Sequence, residues 1–352
     1  MRWRSRSWAR SRARSRALAS FAGAAFVAAL GACNALLDNE VRTLRPAASG
    51  LEGGADARPT CDGGPCVPFL FYSQPNVSKI VVAGDRVYFV HTDKAPHWCD
   101  VAGCERGEGD IGTAQARDLA VELSVGGGTI FLAEQSAVVS YPIGSPKPTT
   151  LASIQKVLSI TADGAAVYFG SSLGEIFACD RASLCTGQTP QKIASSGGNV
   201  TSIAVDDTRV YWTTSLTTGM HEAAKKARDA GPSTSLLEGT SSSAAVFEGQ
   251  VYFATAGASD NGRIVRGGLT TSPRDVLVSG VGAVQGFAVE NGGATVYFTE
   301  KTSGGSVLEC RGRCTGSSAT VIAAKQNASS IVATPSALYW NDPATGVFKL
   351  AK

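Results

Sequence analysis

Histidine and methionine are scarce in this chain: 352 residues hold three His and two Met, and no long apolar run follows residue 33. So few His argue against a His-built metal centre, and the missing runs argue against a multi-span membrane protein. No H-E-x-x-H, P-loop or EF-hand loop is present, so none of those local motifs for metal-assisted or phosphate chemistry is at hand. Charged residues make up 17%, below the ~25% of ordinary soluble proteins. What is abundant is apolar material, at 43%, and glycine, with 40 residues. That is enough for a large core and rules out wholesale disorder.

The first sixteen residues carry seven Arg and no acid, and sixteen uncharged residues follow, Ala17 to Ala32. A basic stretch followed by a short apolar one is the pattern of a secretory signal, and it is too short for a spanning helix. No two of the Arg are adjacent, so it is not a twin-arginine signal. The stretch ends in Leu30-Gly31-Ala32-Cys33, which resembles the lipobox of bacterial lipoproteins. The resemblance implies that residues 1–32 are removed and that Cys33, diacylated on its thiol, becomes the first residue. A plain cleaved signal or an uncleaved anchor is the alternative. Removing residues 1–32 leaves 25 basic against 29 acidic residues, a net charge of −4. A mildly acidic protein without a basic patch does not bind nucleic acid. Residues 33–60 read as the lipidated start and a flexible tether. Several acyl chains would hold the protein on a bilayer without a spanning helix. Asn34 is not the Asp that signals inner-membrane retention in some bacteria, which favours the outer membrane.

Residues 61–352 contain an internal repeat. Six of the eight Tyr follow an aliphatic residue and precede Phe or Trp: Tyr88-Phe89, Tyr168-Phe169, Tyr211-Trp212, Tyr252-Phe253, Tyr297-Phe298 and Tyr339-Trp340. Thr129-Ile130-Phe131 is a weaker seventh copy. With Ile130 in the Tyr place, successive spacings are 42, 38, 43, 41, 45 and 42, close to the ~40–45 residues of a four-stranded propeller blade. Each copy has an apolar strand and a tight turn upstream, such as Ser202 to Asp207. Downstream comes a Gly-led strand, such as Gly262 to Val265, and then a fourth, such as Asp275 to Val278. The expected fold is therefore all-β, a seven-bladed β-propeller of four-stranded antiparallel blades. A six-bladed ring with residues 119–151 as an insertion is the alternative. Adjacent strand residues face opposite ways, so an aromatic doublet places bulk on both faces of its sheet. A blade between two other blades uses both. The last repeat stops after its third strand, and Val67 to Tyr72 stands orphaned before the first. Pairing these two segments would close the ring and remove its free edges. His221 to Arg228 has helical composition where a third strand belongs, and the ring is expected to override it.

Cys33 aside, eight Cys form four local pairs: Cys61 with Cys66, Cys99 with Cys104, Cys179 with Cys185, and Cys310 with Cys314. All four fall at the same place in the repeat, between third and fourth strands. Pairs on separate blades cannot converge on one metal, and an exported chain favours disulfides.

Tyr211-Trp212-Thr213-Thr214 and Leu338-Tyr339-Trp340-Asn341-Asp342 resemble the repeats of YWTD-type and related bacterial propellers. The closing Asp of that signature is absent at Thr214 and Asn341, and such rings usually have six blades. The resemblance implies a binding scaffold rather than an enzyme. A lipid-anchored propeller is also similar to the lipoprotein subunit of the outer-membrane barrel-assembly machine.

Propellers carry function in the loops at one mouth of the channel. Loops before each first strand bring Asn76, Arg117, Asp118, Lys156, Asn199, Gln285 and Asn327. Loops after each Tyr strand bring His91, Glu134, Lys301 and Asp342. This mixed polar rim offers no matched acid-base pair, no catalytic residue and no cofactor motif. His91 and His97, with Asp93, Asp100, Glu105, Glu108 and Asp110 nearby, read as a solvated loop rather than a cation site. Sequence reasoning therefore gives a monomeric, lipid-anchored scaffold that binds a protein or envelope ligand. A metal-assisted lyase or hydrolase in the channel, or an outer-membrane assembly factor, is the alternative.

Overall fold

The computed structural model describes residues 60–61, 64–65, 67–124, 127–145, 147–181, 185, 189–215, 220–226, 234–235, 240–256, 262–267, 274–301 and 305–352. Cys33, Cys66, the signal, most of the tether and residues 257–261 lie outside them. Seven antiparallel sheets follow one another along the chain. They span residues 77–110, 116–152, 157–195, 200–235, 240–281, 283–324, and 331–351 together with Phe69–Tyr72. We number these blades 1 to 7 and call each blade's first strand its inner strand. The inner strands touch in cyclic order, and Ile331–Ala333 of blade 7 touches Val77–Ala83 of blade 1. The fold is a seven-bladed β-propeller. Residues 116–152 form a complete blade rather than an insertion.

Closure is by the orphan strand. Phe69 pairs with Lys349, Leu70 with Phe348, and Tyr72 with Val347. Met220–Ala224 is a third strand paired with Arg209–Thr214, despite its helical composition. Two buried faces outweigh the few tenths of a kcal/mol per residue that separate good from poor helix formers.

The core lies between blades. In six blades the Tyr of the doublet packs toward the next blade and the Phe or Trp toward the preceding one. Tyr211, for instance, joins the cluster with Phe253 of blade 5, while Trp212 joins that with Tyr168 of blade 3. Blade 2 corrects the sequence reading by one residue. Ile130 faces blade 1, Phe131 faces blade 3 and Leu132 faces blade 1. Phe131, opposite Ala120, therefore holds the Tyr place.

Three of the four Cys pairs are disulfides: Cys99–Cys104, Cys179–Cys185 and Cys310–Cys314. Their first Cys share one register, opposite Val87, Val167 and Val296 respectively. Cys61 lies in a short hairpin with Gly64; its pairing with Cys66 lies outside the described residues.

One end of the ring carries the turns between inner and second strands. There, three seams share one device: an acid of one blade, the ring of that blade's doublet, and a cation just after the third strand of the next. Arg181 pairs with Glu122 over Phe131, Lys225 with Asp163 over Tyr168, and Lys352 with Glu290 over Tyr297. Ion pair and cation–π contact act on the same charge.

Candidate functional site

The mouth is the opposite end, where chain enters each inner strand and leaves each second strand. Its geometry comes from one repeated irregularity. In six blades the register of the inner strand shifts at its start: between Val77 and Lys79, Ala116 and Asp118, Val157 and Ser159, Val200 and Ser202, Ser241 and Ser243, and Val284 and Gly286. One residue is extra each time, a β-bulge. The extra residues are Ser78, Arg117, Leu158, Thr201, Ser242 and Gln285. In blade 7 the same place falls to Ser329, because Ser330 already accepts the Asn341 N–H at 3.2 Å. The six residues before the bulge in blades 1 to 4, 6 and 7 are all apolar and all buried, whereas the bulge residues are exposed or half-buried. The inner strand is the free edge of its blade, so these seven residues lie on the channel side at the mouth.

In five blades the residue after the bulge, Lys79, Asp118, Ser159, Ser202 or Ser330, has a different task, stitching neighbouring blades together. Asp118 accepts from the Ile160 N–H at 2.9 Å and from Ser159 Oγ at 3.0 Å in blade 3. It also ion-pairs with Lys79 of blade 1. Ser202 Oγ accepts from the Ala244 N–H at 3.2 Å, and Ser330 Oγ from the Ile80 N–H at 3.1 Å. The last of these crosses the closure seam.

Asn341, which sequence reasoning noted only as a departure from the YWTD signature, is central to that seam and fully buried. Its Nδ2 donates to the Val77 carbonyl of blade 1 at 2.7 Å. Its Oδ1 accepts the N–H groups of Ser329 at 2.9 Å and Ser330 at 2.7 Å. Thr299 holds the bulge of blade 6 in the same way, accepting the Gly286 N–H at 3.0 Å. The usable signal is a polar residue two places after the Tyr of the doublet.

The eleven residues expected at the rim divide by exposure. Asn76, Arg117, Lys156, Asn199, Lys301 and Asn327 are exposed, and Glu134 and Gln285 are half-buried. His91, Asp118 and Asp342 are buried. Asn76 and Lys156 adopt positive φ, 64° and 59°, in equivalent roles. The Asn76 N–H reaches the Pro343 carbonyl of blade 7 at 2.8 Å, and the Lys156 N–H the Gln135 carbonyl of blade 2 at 2.9 Å. Asp342 caps its own turn, accepting the Ala344 N–H at 2.9 Å. His91 Nε2 lies 3.3 Å from the Tyr72 hydroxyl. Burial, and then the Lys94 charge, lower its pKa from 6.5 to about 4. Burial raises the Glu134 carboxyl above its ordinary value.

His97, Cys99 and Glu108 come within reach of one another on the outer flank of blade 1, but the Cys99 sulfur is committed to Cys104. His97 Nδ1 sits 2.9 Å from Asp110, and Nε2 3.3 Å from Glu108. Its ring stacks on Tyr72, 5.3 Å between centroids. The arrangement braces the closure seam.

No family model matches the chain, and neither does any curated protein. Solved structures do resemble it. Virginiamycin B lyase from Staphylococcus aureus has TM-score 0.62 at 11% identity, over 82% of this chain and 99% of that one. An extracellular domain from B. thetaiotaomicron has TM-score 0.60 at 13% identity, over 79% of this chain and 39% of that one. The computationally designed Ika8 protein has TM-score 0.53 at 11% identity, over 80% and 98%. At these identities the likeness concerns the propeller fold alone.

Proposed function

We propose that the protein is an exported, lipid-anchored β-propeller that binds a protein or cell-envelope ligand at its channel mouth. Three disulfides support an oxidising compartment. The basic, then apolar start and Leu30-Gly31-Ala32-Cys33 support lipidation at Cys33, and Asn34 in place of a retention Asp supports an outer-membrane address. The observation that carries the binding reading is the mouth itself. Six bulges and the matching position in blade 7 set mostly polar residues at one channel mouth, while most of the neighbouring residues hold the blades together. The described mouth residues include one histidine, His91, buried against Tyr72. No observation specifically favours lyase or hydrolase chemistry over binding.

Two measurements test this reading. Metabolic labelling with an alkynyl fatty acid should mark the wild-type protein and leave Cys33→Ala unmarked; an unlabelled mature protein defeats the anchor. A photo-crosslinker at Lys156 should capture a defined envelope component in intact cells, and one on the outer flank at Arg106 should not. Equal capture from both places, or none from either, defeats the mouth as the binding surface.

A further inference from the structure

We propose that the channel mouth recognises an oxyanion, a carboxylate or a phosphate, through the Arg117 guanidinium, with Gln285 as a second contact across the ring. The inference deepens the mouth-binding reading and rests on it.

The seven bulge residues are not chemically equal. Four are hydroxyls, and each is already engaged with its own scaffold. Ser78 Oγ donates to the Val90 carbonyl at 3.3 Å, Ser242 Oγ to the Val284 carbonyl at 2.7 Å, and Ser329 Oγ to the Ser78 carbonyl at 3.5 Å. Thr201 Oγ1 and Thr213 Oγ1 share a bond of 2.7 Å. Leu158 is apolar. Arg117 and Gln285 remain, and among the described residues neither side chain has a hydrogen-bond or ion-pair partner. They stand in blades 2 and 6, on different sides of the seven-blade ring. Both present planar groups of N–H donors, and the guanidinium matches a carboxylate or phosphate through two parallel bonds.

No acid among the described residues pairs with Arg117; Glu134, opposite Ala116 on the same blade, makes no ion pair with it. Asp118, its chain neighbour, points into the seam with blade 3 and pairs with Lys79. Asp342 caps a turn, Asp93 accepts from Asn76 Nδ2 at 2.8 Å, and Glu300 accepts the Gly282 N–H at 2.9 Å. The far end treats its cations differently: Arg181, Lys225 and Lys352 are each matched to an acid and a ring. An unmatched guanidinium at the channel, in a chain whose residues 33–352 carry a net charge of −4, is a fixed local field of opposite sign to the whole.

The test is titration of the intact lipidated protein in detergent with two probes, inorganic phosphate and a polyglutamate peptide, read by calorimetry at low salt. The expected result is saturable binding of at least one probe. Arg117→Gln should weaken it tenfold or more, Arg117→Lys by a smaller factor and Gln285→Ala by severalfold, with Arg106→Gln on the outer flank near wild type. Which probe binds tells a phosphate-bearing ligand from an acidic peptide. No saturable binding of either probe overturns the proposal, as does equal binding by Arg117→Gln or equal weakening by Arg106→Gln. Crosslinker capture from Lys156, run alongside on Arg117→Gln, separates the two failures. Undiminished capture with no anion binding leaves the mouth as the binding surface and removes the oxyanion.

Discussion

At the far end of the ring Lys225 lies over Tyr168 and pairs with Asp163, each of the two charged side chains about one-seventh exposed. At the mouth Arg117 stands exposed with no ion-pair partner among the described residues, while the neighbouring Asp118 is buried in a seam. Both ends are built from the same strands by the same repeat. The far end joins blades by ion pairs set over aromatic rings, and the mouth joins them mainly with backbone-directed carboxylate, hydroxyl and amide groups, beside the one pair Lys79–Asp118. That leaves cations at the mouth which stability does not require. A charge that is solvated and unpaired adds little to folding, so its placement is open to a ligand.

The comparison can be broken first at the far end. Lys225→Ala should lower unfolding stability by about 3 kcal/mol, because it strands Asp163 in a largely buried place; urea melts check this. A loss below about 1 kcal/mol would mean that the clamp is ornamental. Asn341→Ala should cost about 2 kcal/mol, since it unpairs the backbone of Ser329, Ser330 and Val77 at the closure seam. The corresponding hydrogen-exchange increase should centre on the inner strand of blade 1 and on Phe69–Tyr72.

The pH response sharpens the same seam. His91 is neutral when folded, with a pKa of about 4 against 6.5 when free. The unfolded chain therefore binds the extra proton between those values. Stability from this site is complete above pH 6.5 and falls as pH drops toward 4, by up to about 1.4 kcal/mol per pH unit. His91→Gln should flatten that slope in melts recorded from pH 7 to 4; an unchanged slope assigns it elsewhere. The smallest effect belongs to the mouth. Arg117→Gln should stay within about 0.5 kcal/mol of wild type in the same urea melts, and a larger loss would make Arg117 a structural residue.

The doublets made blade number and closure legible, because a residue pair that is bulky on both faces has one sensible home, between two sheets. The slip at Ile130 arose where Ile130, Phe131 and Leu132 are all apolar. Alternation then cannot say which residue faces which neighbour, and only pairing with Ala120 decides. His91, Asp118 and Asp342 were read as rim residues from their place at strand ends. Each folds inward to satisfy a seam or turn, which position along a strand does not reveal. The seam role of Asn341 was hidden for a related reason: its partners include Val77, 264 residues away.

Order along the chain was enough to determine the repeat, the number of blades, the strand that joins the two ends and three of the local Cys pairs, since each depends on periodicity or short separations. The fate of Arg117 and Asp118 was decided only in three dimensions. The bulge breaks the two-residue alternation of a strand, so one of these neighbours turns to the open channel and the other into the packed seam.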